Sequence, residues 1–274
     1  MSLNKRKALS ANLILKILIS SGSLGSSAIL AKTTKVQNLK EYQGFLTHCE
    51  LVNKNPSSDD SLSHTVRHLF KLSEKKSCAD AEKFLKSRSF IVLRFAKLEN
   101  LTPFSEFKNV TDLSLGGNEI SDLSPLAHMP QLQKLDLGGY MGGNLISDLR
   151  PLRKLARLEE LILNRNLITD VSPLKNLTNL RVLNLSRNKI SHISSLSSLS
   201  NLVELHLWSN NISDIKALKH LHNLEELNLN NNRLTDISPL KDLTTIKRLW
   251  LRYNKINDIS PISKIRSQTE LLEF

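Results

Sequence analysis

From residue 88 onward, the hydrophobic and polar positions of the chain repeat at a fixed interval. Each step is 22 residues long, except the step between residues 132 and 158, which is 26. The copy at 180–201, LRVLNLSRNKISHISSLSSLSN, shows the shared spacing in full. The pattern predicts a repeat architecture over 88–267, in which each copy is one structural unit. The eight copies start at Arg88, Val110, Leu132, Leu158, Leu180, Leu202, Leu224 and Ile246.

The LxL segment of each copy predicts a short β-strand. Its alternation has a period of two, so both leucines turn inward and the residues beside them turn outward. No copy can bury its leucines alone, so the core forms only when the copies stack. The later apolar residues of each copy fill the interior behind the strand. In one copy these are Ile168, Val171, Leu174 and Leu177.

An asparagine follows the second strand leucine at the point where the chain turns. We expect its side-chain amide to satisfy turn backbone groups in its own and adjacent copies. The DxSPL segment beyond it begins with a helix-capping acid and then a proline, which favours a 3₁₀ or irregular turn. The asparagine recurs as Asn118, Asn144, Asn166, Asn188, Asn210, Asn232 and Asn254.

The repeat resembles the leucine-rich-repeat signature. Its DISPL and DISPI endings, at 236–240 and 258–262, are most similar to the 22-residue class of internalin-like bacterial proteins. The resemblance implies a curved right-handed solenoid, with a parallel β-sheet on the concave face and 3₁₀ or irregular turns on the convex face. It also implies a partner-binding surface on a secreted or cell-surface protein. We expect no internalin-type C-terminal anchor, only a short tail at 268–274 that starts a ninth strand.

Residues 32–87 do not repeat, and we interpret them as a small helical cap that covers the first strand. One segment places Leu62, Val66, Leu69 and Phe70 at helical spacing. Another begins with Ser77 and Asp80, which together favour a capping box. The first copy has Ala96 in place of the asparagine and is rich in phenylalanine, as an atypical end repeat should be.

The first 31 residues carry four basic residues and no acidic one, and an interrupted apolar run then ends in small residues. This order is typical of a secretory signal peptide, with cleavage after Ala28 or Ala31. Lys16 interrupts the apolar run and argues against a membrane span, so we predict no transmembrane segment in the mature chain. Removal of the four basic residues lowers the formal net charge from +12 to +8. The alternative is a mildly basic tail.

Two cysteines remain, Cys49 and Cys78, and an even number in an exported chain favours a disulfide. In the loop-entropy description such a bridge stabilises the fold by about 3–4 kcal/mol. We therefore predict a secreted, periplasmic or cell-surface protein. The alternative is a cytoplasmic protein with two buried thiols.

The sequence offers no basis for catalysis or for a cofactor. It contains no phosphate-binding glycine motif, no GxSxG segment and no cysteine placed as a nucleophile. His64 and His68 lie four residues apart on a predicted helix, but no third ligand is near them in sequence. We therefore predict a protein that is not an enzyme and has no metal site.

The excess of basic over acidic residues raises the question of whether the protein binds nucleic acid. Outward positions of the predicted strands carry six basic and five acidic residues, so the concave face has no phosphate-binding stripe and we predict no nucleic-acid partner. A basic row on the convex side leaves open a contact with anionic polysaccharide or lipid head groups. That row consists of Arg153, Lys175, Lys219 and Lys241.

Both tryptophans of the chain, Trp208 and Trp250, fall at outward positions on the concave face. Exposed tryptophan, tyrosine and arginine side chains together are typical of an interface hot spot. We predict a site for another protein, with a glycan as the second candidate; the alternative is that neighbouring strand residues cover both indoles. The predicted site comprises Glu204, His206, Trp208, Glu226, Asn228, Arg248, Trp250, Arg252 and Tyr253.

The longer repeat step comes from the segment GGYMGGN, which places extra residues between Leu137 and Asn144. Both flanks resume in register, so we predict a loop on the rim of the concave face, with Tyr140 and Met141 as its only large side chains. Its four glycines would permit the unusual dihedral angles of such a loop. A duplication without function and a mobile aromatic finger are the two interpretations.

Together these patterns predict an exported, non-catalytic leucine-rich-repeat protein that recognises a partner on its concave face. One alternative is an intracellular regulatory subunit, such as the repeat proteins of this type that bind phosphatases. Another is an envelope-associated protein that binds anionic polysaccharide through the convex basic row. The compartment of the mature protein decides which partners are available to it.

Overall fold

The structure is a computed structural model, and it describes residues 43–140, 142–266 and 271–273. The elements named below belong to one compact unit within residues 44–274. The predicted signal peptide, residues 32–42 of the predicted cap and Met141 lie outside the described residues. Among the helices of the described part, none combines the length and the apolar character that a membrane crossing requires.

Within the described residues, three α-helices precede the sheet: α1 (Phe45–Lys54), α2 (Ser61–Ser73) and α3 (Cys78–Ser87). Helices α2 and α3 each begin at a side-chain oxygen that accepts a backbone N–H three residues further on. Asp60 accepts from Ser63 at 2.8 Å, and Ser77 accepts from Asp80 at 3.1 Å. Such caps satisfy N–H groups that the first helical turn leaves without a partner, and so they fix where each helix begins.

The cap is joined to the first repeat by buried aromatic rings and by a polar contact. Phe45 of α1 packs edge-to-face on Phe107, with ring centroids 6.2 Å apart, and both side chains are fully buried. From α2, Nε2 of His64 lies 2.8 Å from the carbonyl oxygen of Ala96, the residue that replaces the ladder asparagine. The helices therefore cover the end of the repeat core that no preceding copy covers.

The predicted disulfide between Cys49 and Cys78 is confirmed, and it ties α1 to α3. Both cysteines are buried, and Sγ of Cys78 accepts a hydrogen bond from Asn53 at 3.2 Å. The two residues are separated by 29 positions, and closing a loop of that length stabilises the fold by about 3–4 kcal/mol.

In the part of the chain that the structure describes, nine three-residue strands form one parallel sheet in chain order. In β1 to β8 the middle residue is a buried leucine or isoleucine, and its two neighbours face outward. The ninth strand pairs with β8 and continues the sheet. The strands are β1 (Phe90–Val92), β2 (Asp112–Ser114), β3 (Lys134–Asp136), β4 (Glu160–Ile162), β5 (Val182–Asn184), β6 (Glu204–His206), β7 (Glu226–Asn228), β8 (Arg248–Trp250) and β9 (Leu271–Glu273).

Behind the strands, 3₁₀ turns carry the apolar residues that back the sheet. The acid before these turns is not the N-cap residue that the sequence predicts. Asp170 lies one position earlier and accepts the N–H of Ser172 at 2.8 Å, while Val171 takes the N-cap position. The acid thus forms an Asx turn that leads the chain into the 3₁₀ turn. The turns are Thr102–Glu106, Ser124–His128, Arg150–Lys154, Ser172–Asn176, Ser194–Ser198, Lys216–His220, Ser238–Leu240 and Ser260–Ile262. A short helix, α4 (Ser263–Arg266), follows the last turn.

The recurring asparagines form a hydrogen-bond ladder between copies. Nδ2 of Asn188 donates to the carbonyl oxygens of Leu163 at 3.0 Å and Leu185 at 2.9 Å, and Oδ1 accepts the N–H of Ile168 at 3.0 Å. One buried amide therefore satisfies two backbone groups of the preceding copy and one of its own. Equivalent contacts are made by Asn118, Asn144, Asn166, Asn210, Asn232 and Asn254.

The ladder continues unbroken across the insertion. Asn144 accepts the N–H of Ile120 at 3.0 Å and donates to the carbonyl oxygen of Leu137 at 2.8 Å, as its counterparts do in the shorter copies. Across the insertion, Leu135 pairs with Leu161 in the same register as the other strand leucines. The extra residues therefore alter only the rim, and the strand register and the asparagine ladder of the core are preserved.

The glycines of the insertion are required for a different reason from the one that the sequence indicates. Among the described glycines, left-handed φ angles occur at Gly44 and Gly117 rather than at the loop glycines Gly138, Gly139 and Gly143. A Cβ on Gly143 would overlap the backbone of the following copy, and one on Gly139 would overlap the loop itself. Lack of space, rather than unusual dihedral angles, therefore selects glycine at these two positions.

We expect Asn188→Ala to lower the free energy of unfolding by about 2–4 kcal/mol, because it leaves buried backbone groups of two copies without a partner. Urea unfolding followed by far-ultraviolet circular dichroism measures this. Asn176→Ala is the matched control, since Asn176 is an exposed side chain at the end of a 3₁₀ turn, and its effect should stay below about 0.5 kcal/mol. Equal effects of the two substitutions would contradict the structural role of the ladder.

Candidate functional site

The outward side chains of β6, β7 and β8, with the residues just after them, form a continuous surface that we call the C-terminal concave patch. Strand register sets its two rows. Glu204, Glu226 and Arg248 are neighbours in one row, and His206, Asn228 and Trp250 are neighbours in the other. Trp208 follows the end of β6, and Arg252 and Tyr253 follow the end of β8. The structure thus places all nine predicted partner-binding residues on three adjacent copies.

Acidic and basic groups of the patch lie against one another. The guanidinium group of Arg248 contacts Oε1 of Glu226, and Nε2 of His206 lies 3.9 Å from Oε2 of Glu204. Burial lowers the pKa of His206 below its usual range; Glu204 acts in the opposite direction and Arg248 in the same direction. His206 is therefore neutral at pH 7, while Glu204 and Glu226 are directly opposite on neighbouring strands.

Trp208 is partly covered by a residue that the sequence analysis did not include in the site. The guanidinium carbon of Arg187, one copy earlier, lies 4.2 Å from the centre of the Trp208 ring. A cation held over an indole face at this distance is a stabilising cation–π contact. The contact supports the interpretation that neighbours cover the indole, although Trp208 keeps part of its surface exposed. No sequence pattern indicates this contact, because Arg187 and Trp208 occupy non-equivalent positions of their copies.

Asn230 is a second residue of this surface that the sequence analysis missed. It lies on β7's copy at the position that Trp208 and Arg252 occupy in the adjacent copies. Its Oδ1 atom is buried and accepts no hydrogen bond within the part of the chain that the structure describes. A buried acceptor without a donor is uncommon and costs free energy, so this atom favours a ligand or water that supplies an N–H or O–H group.

Tyr253 is an exposed side chain of the patch, with 78% of its surface accessible. Its φ angle is 59°, in the left-handed region that side chains other than glycine rarely adopt. The ladder asparagine that follows it, Asn254, donates to Leu251 at 2.8 Å and so holds this turn in place. The same geometry precedes the ladder position in other copies, at Phe95, Arg165, Arg187, Ser209 and Asn231. The turn therefore presents one variable side chain at the rim in each of these six copies.

The rim loop lies on an earlier copy than the patch. Tyr140 is 82% exposed, and Leu145 and Leu167 beside the loop are also exposed, whereas Met141 lies outside the described residues. Asn164 donates to the carbonyl oxygen of Gly139 at 2.7 Å and links the loop to the following copy. This link and the tight glycines give the loop defined contacts in this structure.

Exposed apolar side chains also occur at the other end of the sheet. Phe90, Val92 and Phe95 of the first copy are each about half exposed, and Arg88 lies over the Phe90 ring at 4.0 Å. The phenylalanine-rich composition of the first copy predicts an end repeat. Phe104 and Phe107 are fully buried in it, whereas Phe90 and Phe95 are exposed.

Two comparisons identify the family of this fold. The family described as "Leucine Rich repeats (2 copies)" matches residues 108–154, 200–242 and 222–264, and the family "Leucine rich repeat" matches residues 156–212. Together these matches extend over more than half of the chain. The chain belongs to the leucine-rich-repeat family. No curated protein sequence matches it.

Solved structures place these leucine-rich repeats in the internalin-like class. An internalin (inlF) from Listeria monocytogenes is 37% identical to this chain, with a TM-score of 0.60. The similarity covers 65% of this chain and 52% of the internalin, so this chain spans about half of that internalin's length. Internalin C2 (inlC2) from the same species is 27% identical with a TM-score of 0.69, and the similarity covers 76% and 91% of the two chains. A Leptospira interrogans leucine-rich-repeat protein, 24% identical with a TM-score of 0.58 over 70% and 56%, shows the fold alone.

We expect His206 to make stability depend on pH. Its pKa is lowered in the folded protein, so the unfolded chain binds more protons in the pH range between the two pKa values. The contribution of neutral His206 is complete above about pH 6.5 and is lost as the pH falls through the folded-state pKa. Urea unfolding between pH 7.5 and 5 should show a smaller loss for His206→Gln than for the unsubstituted protein.

The control for this prediction is His222→Gln, because His222 is an exposed residue outside the patch. It should keep the pH dependence of the unsubstituted protein. Titration of the His206 imidazole proton resonance by nuclear magnetic resonance provides the direct check. A midpoint above 6.5 would show that the charges of Glu204 and Glu226 outweigh burial.

Proposed function

We propose that this leucine-rich-repeat protein is exported and binds a partner protein through the C-terminal concave patch. The supporting observation is that Trp208 lies at an outward position of the β6 copy, and Trp250, Arg252 and Tyr253 lie at outward or rim positions of the β8 copy, with one copy between them. Tryptophan, tyrosine and arginine are the residues that contribute most binding free energy in protein interfaces. Leucine-rich-repeat families are typically interaction scaffolds, and we propose the same non-catalytic role here.

The sheet supports tight binding because its side chains need little reorganisation. Each of β6, β7 and β8 is tied to both neighbouring strands by its backbone, and the ladder amide fixes the turn beyond it. Arg187 lies over the Trp208 ring in the chain without a partner, a contact that favours this ring orientation. Binding through side chains that are ordered in advance avoids part of the entropy loss of association.

Export is supported by three observations of different kinds. The N-terminal sequence has the order of a secretory signal, and the Cys49–Cys78 bridge is of the kind that persists in oxidising compartments. Two structural relatives are internalins. The bridge favours export over the intracellular regulatory alternative, in which reducing conditions would keep both thiols free.

A photo-crosslinking side chain in place of Asn228, at the centre of the patch, tests the proposed surface. In cells of the source organism we expect a covalent adduct with a protein from this position and none from Lys219 on the convex side. Trp208→Ala together with Trp250→Ala should lower the adduct yield at least about tenfold, since one hot-spot tryptophan contributes about 2 kcal/mol or more.

The matched control replaces two exposed apolar residues outside the patch, Tyr140→Ala with Leu167→Ala, and should leave the adduct yield unchanged. An unchanged yield in the tryptophan variant would reject the patch as the binding surface. Adducts from Lys219 alone would instead favour the convex basic row, whose side chains are exposed. An adduct with polysaccharide would identify a glycan as the partner.

A further inference from the structure

We propose that Glu204, His206 and Glu226 form a binding site for a divalent transition-metal ion of the Zn²⁺ class on the concave face. Each residue offers one ligand atom, and the three atoms lie within 4.8 Å of one another. Glu204 and Glu226 are paired residues of β6 and β7, and His206 lies two positions after Glu204 on the same outward face. The inference concerns the free protein and does not rest on the proposed partner.

The separations are close to those of a metal site and can contract to it. Zinc binds imidazole nitrogen and carboxylate oxygen at about 2.0–2.2 Å, which places the ligand atoms of a tetrahedral site about 3.4 Å apart. Nε2 of His206 and Oε2 of Glu204 are 3.9 Å apart. The side chain of Glu204 is 39% exposed, so it can rotate toward the imidazole without disturbing the core.

Arg248 fits this site as a supporting residue. It contacts Oε1 of Glu226, which leaves the other carboxylate oxygen, Oε2, for the ion. Carboxylates that bind metals are commonly held by a second residue in this way, and the contact fixes their orientation. The Glu226 side chain is only 15% exposed, so the ion pair places its carboxylate in a defined position.

Electrostatics also favours a cation at this point. Glu204 and Glu226 are like charges directly opposite on adjacent strands, an arrangement that destabilises a sheet unless a positive group intervenes. Arg248 contacts Glu226, and burial lowers the pKa of His206, which favours its neutral form. A divalent cation between the three groups would offset the remaining repulsion, and neutral imidazole is the form that binds metals.

The ligand set selects the class of ion. One imidazole and two carboxylates suit zinc, cobalt and nickel, whereas calcium and magnesium prefer sites made entirely of oxygen ligands. Three protein ligands leave at least one coordination position open. That position faces the concave side, where water or a donor from a bound molecule can occupy it.

Titration of chelator-treated, tag-free protein with Co²⁺ or Ni²⁺ tests the proposal, with isothermal calorimetry and tryptophan fluorescence as readouts. We expect one ion per chain and a change in emission, because Trp208 follows two residues after His206 and Trp250 is beside Asn228. His206→Gln and Glu204→Gln should each weaken binding at least about tenfold. His222→Gln, which removes an exposed histidine elsewhere, should leave it unchanged.

The proposal is wrong if no ion binds at millimolar concentration, or if His206→Gln binds as tightly as the unsubstituted protein. Glu204→Gln keeps the test decisive should His206→Gln fold poorly, because Glu204 is the more exposed of the two. Trp208→Ala with Trp250→Ala should retain metal binding in calorimetry while losing the partner adduct. Failure of the metal site and failure of the partner site therefore give different results.

Discussion

The buried asparagine that hydrogen-bonds across copies is the interaction on which the rest of this structure depends. A strand of three residues supplies few backbone contacts of its own, and the turn after it leaves carbonyl and N–H groups pointing into the interior. Asn188 and its counterparts satisfy these groups with one side chain per copy. Because an unsatisfied buried backbone group costs about 1–3 kcal/mol, the ladder is what allows a turn of this shape to be buried at all.

The functional surface follows from the same constraint. With the turn fixed, each copy presents a few side chains in a set direction: the two that flank the strand leucine and those just before the asparagine. Residues 22 positions apart in sequence become neighbours, as Glu204 and Glu226 do. The ladder asparagines and the inward leucines stabilise the fold, so the outward residues can vary and can contact a partner. The insertion at residues 138–143 uses the same freedom, since it alters the rim and leaves Asn144 in register.

Features that repeat could be predicted from the sequence. The inward leucines, the turn asparagines and the 3₁₀ segments recur often enough that their period shows their role. The Cys49–Cys78 bridge could be predicted because only one pairing exists. Trp208 and Trp250 could be assigned to the outward face because strand alternation decides it. Each of these predictions needs only the repeat period, the alternation along a strand or the presence of a single possible cysteine pair.

Features that depend on contacts between non-equivalent positions could not be predicted in this way. The stacking of Arg187 on Trp208 joins two positions that differ in the consensus. Sequence spacing indicates a metal-ligand pair only where histidines lie four apart on a helix, whereas the sheet brings Glu204, His206 and Glu226 together across two copies. Gly143 was assigned a conformational role because its crowding by the next copy becomes visible only in three dimensions. These contacts depend on burial and on distances between residues in the folded chain, which the sequence pattern does not show.

Hydrogen exchange of the backbone amides that the ladder binds tests this account most directly. Ile190 donates to Oδ1 of Asn210 at 3.0 Å, and Ile212 donates to Oδ1 of Asn232 at 3.1 Å. Both amides lie outside strands and helices, so without the ladder they would exchange as turn amides do. We expect them to be protected as strongly as the amide of Leu185, which pairs with the next copy through His206. Exchange of Ile190 and Ile212 at the rate of an exposed turn would contradict the central role of the ladder.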